Sequence, residues 1–148
     1  MSFKLLRARI TTHIKDALAA ETISEPIEYP NIRFNQPESG AWMRLTIVPG
    51  RTNPTAVGGA SQRRRRTVAV VTVQVFIPEQ EGTDRAYEIC DALSRQLDYK
   101  REGTNDVPNN ERLVINYRTF GITPAATNNG FSQHNLQCDI LSDMLETA

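Results

Sequence analysis

Residues 63–78 read RRRRTVAVVTVQVFIP, and this stretch decides the fold. Its valines and threonines are β-branched, stiff at χ1 and suited to a pleated surface. Pro78 ends the run, because proline has no amide proton to give a ladder. A strand this long exceeds what a small sheet covers, so Arg63 to Arg66 are expected at a projecting end. Immediately upstream, Trp42 to Val48 alternates: Trp42, Arg44, Thr46 and Val48 fall on one face, Met43, Leu45 and Ile47 on the other. Pro49 and Gly50 read as its stop, and Arg51 to Gln62 as a long, polar, glycine-bearing loop. The simplest pairing is an antiparallel hairpin of 42–48 with 67–77.

Outward from this hairpin the chain alternates between helix and strand signals. Residues 3–20 predict an amphipathic helix, with Phe3, Leu6, Ile10, Ile14, Ala17 and Leu18 recurring at three-to-four spacing. Residues 21–40 hold three prolines and read as extended chain with a short strand at Ile27 to Tyr29. After Pro78, Thr83 or Asp84 caps a second helix carrying Ala86, Ile89, Cys90, Leu93 and Leu97 on one face. Lys100 to Asn110 reads as a loop, Arg112 to Ile122 and Phe131 to Leu141 as strands. Pro124 and an Asn128-Asn129-Gly130 turn lie between those strands. The expected fold is therefore α+β: a two-layer sandwich of a mostly antiparallel sheet, two helices on one face, and a long projecting hairpin. One domain over residues 1–148 is expected, with 51–66 as an exposed loop or hairpin tip and 143–148 frayed.

At 148 residues, one self-sufficient core is the natural outcome. Seventeen basic and seventeen acidic residues cancel, which argues against a nucleic-acid binder held by net charge. Cys90 and Cys138 have no second Cys or His at ligand spacing, so two buried reduced thiols are expected and not a zinc site. The longest apolar run, around Val68 to Val71, is far too short to span a bilayer, and residues 1–20 lack a signal-peptide pattern. A soluble, cytoplasmic product with no membrane partner is expected.

Motifs for catalysis and cofactors do not emerge. The sequence holds no phosphate loop, dinucleotide fingerprint, zinc-protease or nucleophile-elbow motif, so no cofactor and no enzyme activity is expected. His13 and His134 stand without motif partners. Gly58-Gly59 lacks the following helix that would present amides to a phosphate. Asp84, Glu88 and Asp91 share helical spacing, but a helix dipole and nearby Arg85 and Arg95 account for them. The unusual feature is the arginine run. Alternation sends Arg63 and Arg65 one way and Arg64 and Arg66 the other. Such a run is either a solvated edge that blocks aggregation or a contact for carboxylates or phosphates. Placed past the covered sheet, it should tolerate replacement by serine without loss of fold.

The order of features is distinctive in combination. An amphipathic helix precedes EYPNIRFNQPESGAWMRLTIVPG; a Gly-Gly loop follows, then RRRRTVAVVTVQVFIPEQEGTDRAYEICDAL. This resembles the tail terminator, or tail completion, proteins of long-tailed bacteriophages, and is more distantly similar to the minor tail protein U of phage lambda. The resemblance implies a non-enzymatic virion protein of the tail and neck, assembled in the host cytoplasm. It implies a homohexameric ring that caps the tail tube protein, stops tube polymerisation and offers a surface to the head–tail connector. Genome DNA would pass through the lumen without specific binding. Arg51, Arg63, Arg64, Arg65 and Arg66 are then the candidates for contact with a neighbour, the tube or the neck. Another neck or connector component, or a small nucleic-acid-binding module acting through Arg63 to Arg66, are the alternatives. Zero net charge and the lack of aromatics among the arginines count against the last.

Overall fold

The computed structural model describes residues 3–30, 32–57, 62–104, 112–125, 127 and 130–147. Helix α1 (Phe3–Ala20) is followed by strands β1 (Ile27–Glu28), β2 (Trp42–Val57) and β3 (Gln62–Pro78). Helix α2 (Asp84–Leu97) then leads to β4 (Arg101–Thr104), β5 (Arg112–Tyr117), β6 (Gly121–Pro124) and β7 (Phe131–Thr147). The seven strands form one sheet in the order β1-β2-β3-β7-β5-β4, with β6 also on β7. All pairings are antiparallel except β1 with β2. The expected α+β class holds, and both helices cover one face.

Two periodicities meet in the core. Leu6, Ile10 and Ile14 of α1 and Ile89 and Leu93 of α2 are completely or almost completely buried. They pack on the odd positions of β3, Val71, Val73 and Val75, and on Leu136, Cys138 and Ile140 of β7. Met43, Leu45 and Ile47 extend this face along β2, as the alternation predicts. Thr83 stands at the N-cap of α2 but makes no side-chain capping bond; its carbonyl accepts from the Ala86 and Tyr87 amides. Among the described residues no helix is long and apolar enough to cross a membrane.

Of the three long central strands, β2 and β7 extend well beyond what the sequence suggests, while β3 runs as expected to within a residue at each end. Seventeen residues of β3 at about 3.3 Å each reach about 56 Å, against about 27 Å for the 18 residues of α1. Where a loop was expected at 51–62, β2 continues to Val57 and β3 begins at Gln62; residues 58–61, with Gly58-Gly59, lie outside the described residues. Pro49 and Gly50 do not stop β2, because a bulge absorbs them: Pro49 faces Ala69 and Thr52 faces Thr67, leaving one extra residue on β2. Glycine is required there, since a Cβ on Gly50 would stand 2.9 Å from the Val68 carbonyl oxygen. A second irregularity lies between Pro54 and Ala56.

Three further expectations are corrected. Residues 101–104 are strand β4 and not loop; 105–110 lie outside the described residues. The 112–122 strand is broken at 118–120 into β5 and β6, where the Phe120 amide donates to the Asp98 carboxylate at 2.8 Å. Residues 143–147 do not fray as expected: β7 runs to Thr147, paired with β3 throughout, and Asp143 and Met144 are buried. Of the expected 128–130 turn only Gly130 is described; its φ of +81° suits the tight entry to β7.

Candidate interaction surface

The arginine run lies in the middle of the sheet. β3 is flanked by β2 and β7 along the whole of residues 63–66, so the run is not the solvated edge that was one of its two readings. On the helix side burial continues through Thr67, Ser142, Met144 and Leu113. Thr67 anchors this region, its hydroxyl 2.8 Å from that of Thr52 and its carbonyl accepting from the Ser142 hydroxyl at 3.1 Å.

On the opposite face the alternation brings Arg64 and Arg66 to Asp143. Arg66 forks the carboxylate, Nε donating to Oδ1 at 2.8 Å and Nη2 to Oδ2 at 3.0 Å. Arg64 Nη2 stands 3.7 Å from Oδ2. The carboxylate is only 9% exposed, whereas the Arg66 and Arg64 side chains are 42% and 49% exposed. The Arg66 fork, with Arg64 and Arg101 adding charge, holds the Asp143 carboxyl below the usual range despite its burial, and the same bond raises Arg66. One buried acid thus fixes Arg66, with Arg64 beside it, while both arginine side chains keep much of their surface in water.

The candidates are only partly brought together. Arg64 and Arg66 share Asp143; half-buried Arg65 points to the helix side opposite Met144. The Arg63 backbone pairs with Val57 and Glu146. Arg51 is exposed at the first bulge, beside Val68. The expectation that serine is tolerated at all four positions assumed a run past the covered sheet. The run instead lies between β2 and β7, and loss of Arg66 would leave the buried Asp143 carboxylate without its fork. Sequence reading missed Asp143, although Cys138, Ile140, Ser142 and Met144 continue the alternation past Leu141.

A second cluster missed in the sequence sits at the other end of this face. Trp42 stacks on Phe76 at 4.1 Å between centroids, Phe34 stacks on Trp42 at 5.5 Å, and Phe131 meets it edge-on. Arg44 lies 5.4 Å from both the Trp42 and Phe76 rings and pairs with Glu28. Trp42 is on the face its alternation predicts, yet it is buried because Phe34 from the proline segment covers it.

The other titratable candidates serve the fold. His13 Nδ1 is 2.7 Å from the Tyr117 hydroxyl, and buried His134 lies edge-on to Tyr87. Glu88 accepts from Arg85 at 3.0 Å, and no group of three His, Cys, Asp or Glu among the described residues is placed to hold a metal. Cys90 and Cys138 are buried and unbridged; burial raises both thiols, Cys138 to about 12.

The arginines held at Asp143 lie on the sheet face opposite the helices. The chain belongs to the phage tail terminator protein family, whose model matches residues 4–102. It is thus a structural component of a phage tail, acting at the tail tube, and not an enzyme. A solved structure known only by a sequence identifier is 21% identical, with a TM-score of 0.63, covering 100% of this chain and 96% of that one. That likeness supports the fold. No curated protein matches the chain.

Proposed function

We propose that this protein caps the phage tail tube as a six-membered ring, halts tube polymerisation and offers the surface to which the head connector joins. The observation that carries the reading is the family match over residues 4–102. Six identical subunits multiply every exposed feature, so the Arg64–Asp143–Arg66 fork becomes a ring of fixed cations. Arg51 and the Arg63 to Arg66 run are the contacts for the tube, the neck or a neighbouring subunit. Exposed Val48 and Val68, on the same helix-free face, supply apolar area beside the charges.

The test is negative-stain imaging of the purified protein mixed with tail tubes of the same phage. Sixfold caps at one tube end, and tubes that stop lengthening, are the expected result. Particles that ignore tube ends and bind only the portal side would replace this reading with that of a connector.

A further inference from the structure

The seventeen positive and seventeen negative residues cancel in number, yet exposed charges of one sign gather on one flank of each helix. The flank of α1 turned toward Tyr29, Pro30 and Ile32 forms a groove of about 540 Å³. Phe3 and Ile32 in its walls are 44% and 63% exposed, large values for apolar side chains. Lys4 and Arg7 are exposed on the same flank, and Lys15 Nζ stands 4.5 Å over the Tyr29 ring. The other flank of α1, at His13, Asp16 and Ala20, faces Gln96 and Lys100 at the end of α2. The groove therefore opens at the β1 edge of the molecule.

The opposite edge carries the opposite sign. Helix α2 packs on both β3 and β6; its Arg85 flank reaches Glu25, and its other flank, where Tyr87 meets His134 of β7, is turned away from β1. Glu79 and Glu81 in the turn before α2 are exposed, as are Asp84, Tyr87 and Asp91 on it. The single cation between residues 79 and 91 is Arg85, and its guanidinium is taken up by Glu25 and Glu88. Tyr87, 44% exposed, stands among these acids as an aromatic anchor.

We propose that the acidic α2 edge of one copy docks in the cationic α1 groove of a second copy. This rests on the ring reading above and names the surfaces that would close it. A contact between two different patches of the same chain is heterologous and closes into a ring when its rotation permits. Phe3 and Ile32 meet Tyr87 at the centre; the flanking charges steer the approach and fix its register.

Charge exchange tests the contact. One variant carries Lys4→Glu and Arg7→Glu, a second Glu81→Lys and Asp84→Lys, and a third all four changes. Self-association is read by sedimentation velocity at low and high salt, and by occupancy of tube ends in micrographs, with circular dichroism confirming the fold of each. Wild type should associate and weaken with salt. Each two-site reversal should weaken association about tenfold or more, and the four-site exchange should restore it. Unchanged association in the reversals, no recovery in the exchange, or a wild type that stays monomeric in solution and at tube ends each overturns the contact. Tubes still capped by the reversal variants would overturn the contact alone; wild-type rings that ignore tubes would overturn the capping function alone.

Discussion

At Asp143 a buried carboxylate faces two guanidinium groups that stay half in water. The folded protein holds this carboxyl below its ordinary value of about 3.9, chiefly through the Arg66 fork. Above the ordinary value the carboxylate is ionised in both folded and unfolded chains, so the pairing contributes in full. As pH falls through the depressed folded value, the unfolded chain has already taken up the proton and the contribution is lost. Arg66→Ser should therefore lower the denaturant midpoint at pH 7, and the gap to wild type should close as pH falls below about 3.9. A gap that persists unchanged in acid would mean that the fork is not its source. At Gly50 the constraint is backbone approach. Gly50→Ala puts a methyl 2.9 Å from the Val68 carbonyl oxygen, and neither strand can yield without losing the bulge. A cost of about 1–3 kcal/mol in a denaturant titration is expected, as for overpacking elsewhere; a neutral variant would show that the bulge relaxes freely.

Among the elements, β3 is the strand most continuously held on both sides, from Arg63 to Phe76 by β2 and along its whole length by β7; β7 itself has β3 on one side and β5 and β6 on the other. Its amides from Thr67 to Ile77 should form the slowest hydrogen-exchange class, opening only with the whole molecule. Those of the two-residue β1, paired on one side alone, should exchange much faster. If β1 proved as protected as β3, the edge would be covered by something else. The same elements show what the sequence discloses. The faces of α1 and α2, the alternation at 42–48 and the β2–β3 pairing are legible because burial repeats at the period of the local structure. The continuation of β2 is not, because Pro49 and Gly50 carry the local signal of a stop and only the pairing with Ala69 and Val68 turns them into a bulge. The end of β7 is hidden for a similar reason. Asp143 reads as solvated until Arg66, 77 residues away in sequence, is placed opposite it. Trp42 likewise shows its face locally but owes its burial to Phe34.

For the molecule as a whole, the two thiols report whether helices and sheet open together. Cys90 belongs to α2 and Cys138 to β7, and both face the one core. The reactive form of a thiol is the thiolate. Burial raises both groups, Cys138 to about 12, so exclusion and protonation act together to silence them in the folded state. An unfolded thiol ionises near about 8.5. Because the folded value is higher, the unfolded chain alone releases the proton as pH rises past this point, and stability declines from there toward the folded value. At pH 8, labelling by an aromatic disulfide reagent should be slow, should proceed at one rate for both thiols, and should match the rate of global opening. Cys138→Ala should remove part of the alkaline decline while leaving Cys90 protected, since Leu93 and Ile89 still fix α2 on the sheet. Rapid labelling of Cys90 while Cys138 stays silent would show that α2 detaches by itself. A subunit of that kind could not present Asp84, Tyr87 and Asp91 as a rigid edge, so single-rate labelling is also what the proposed contact between copies requires.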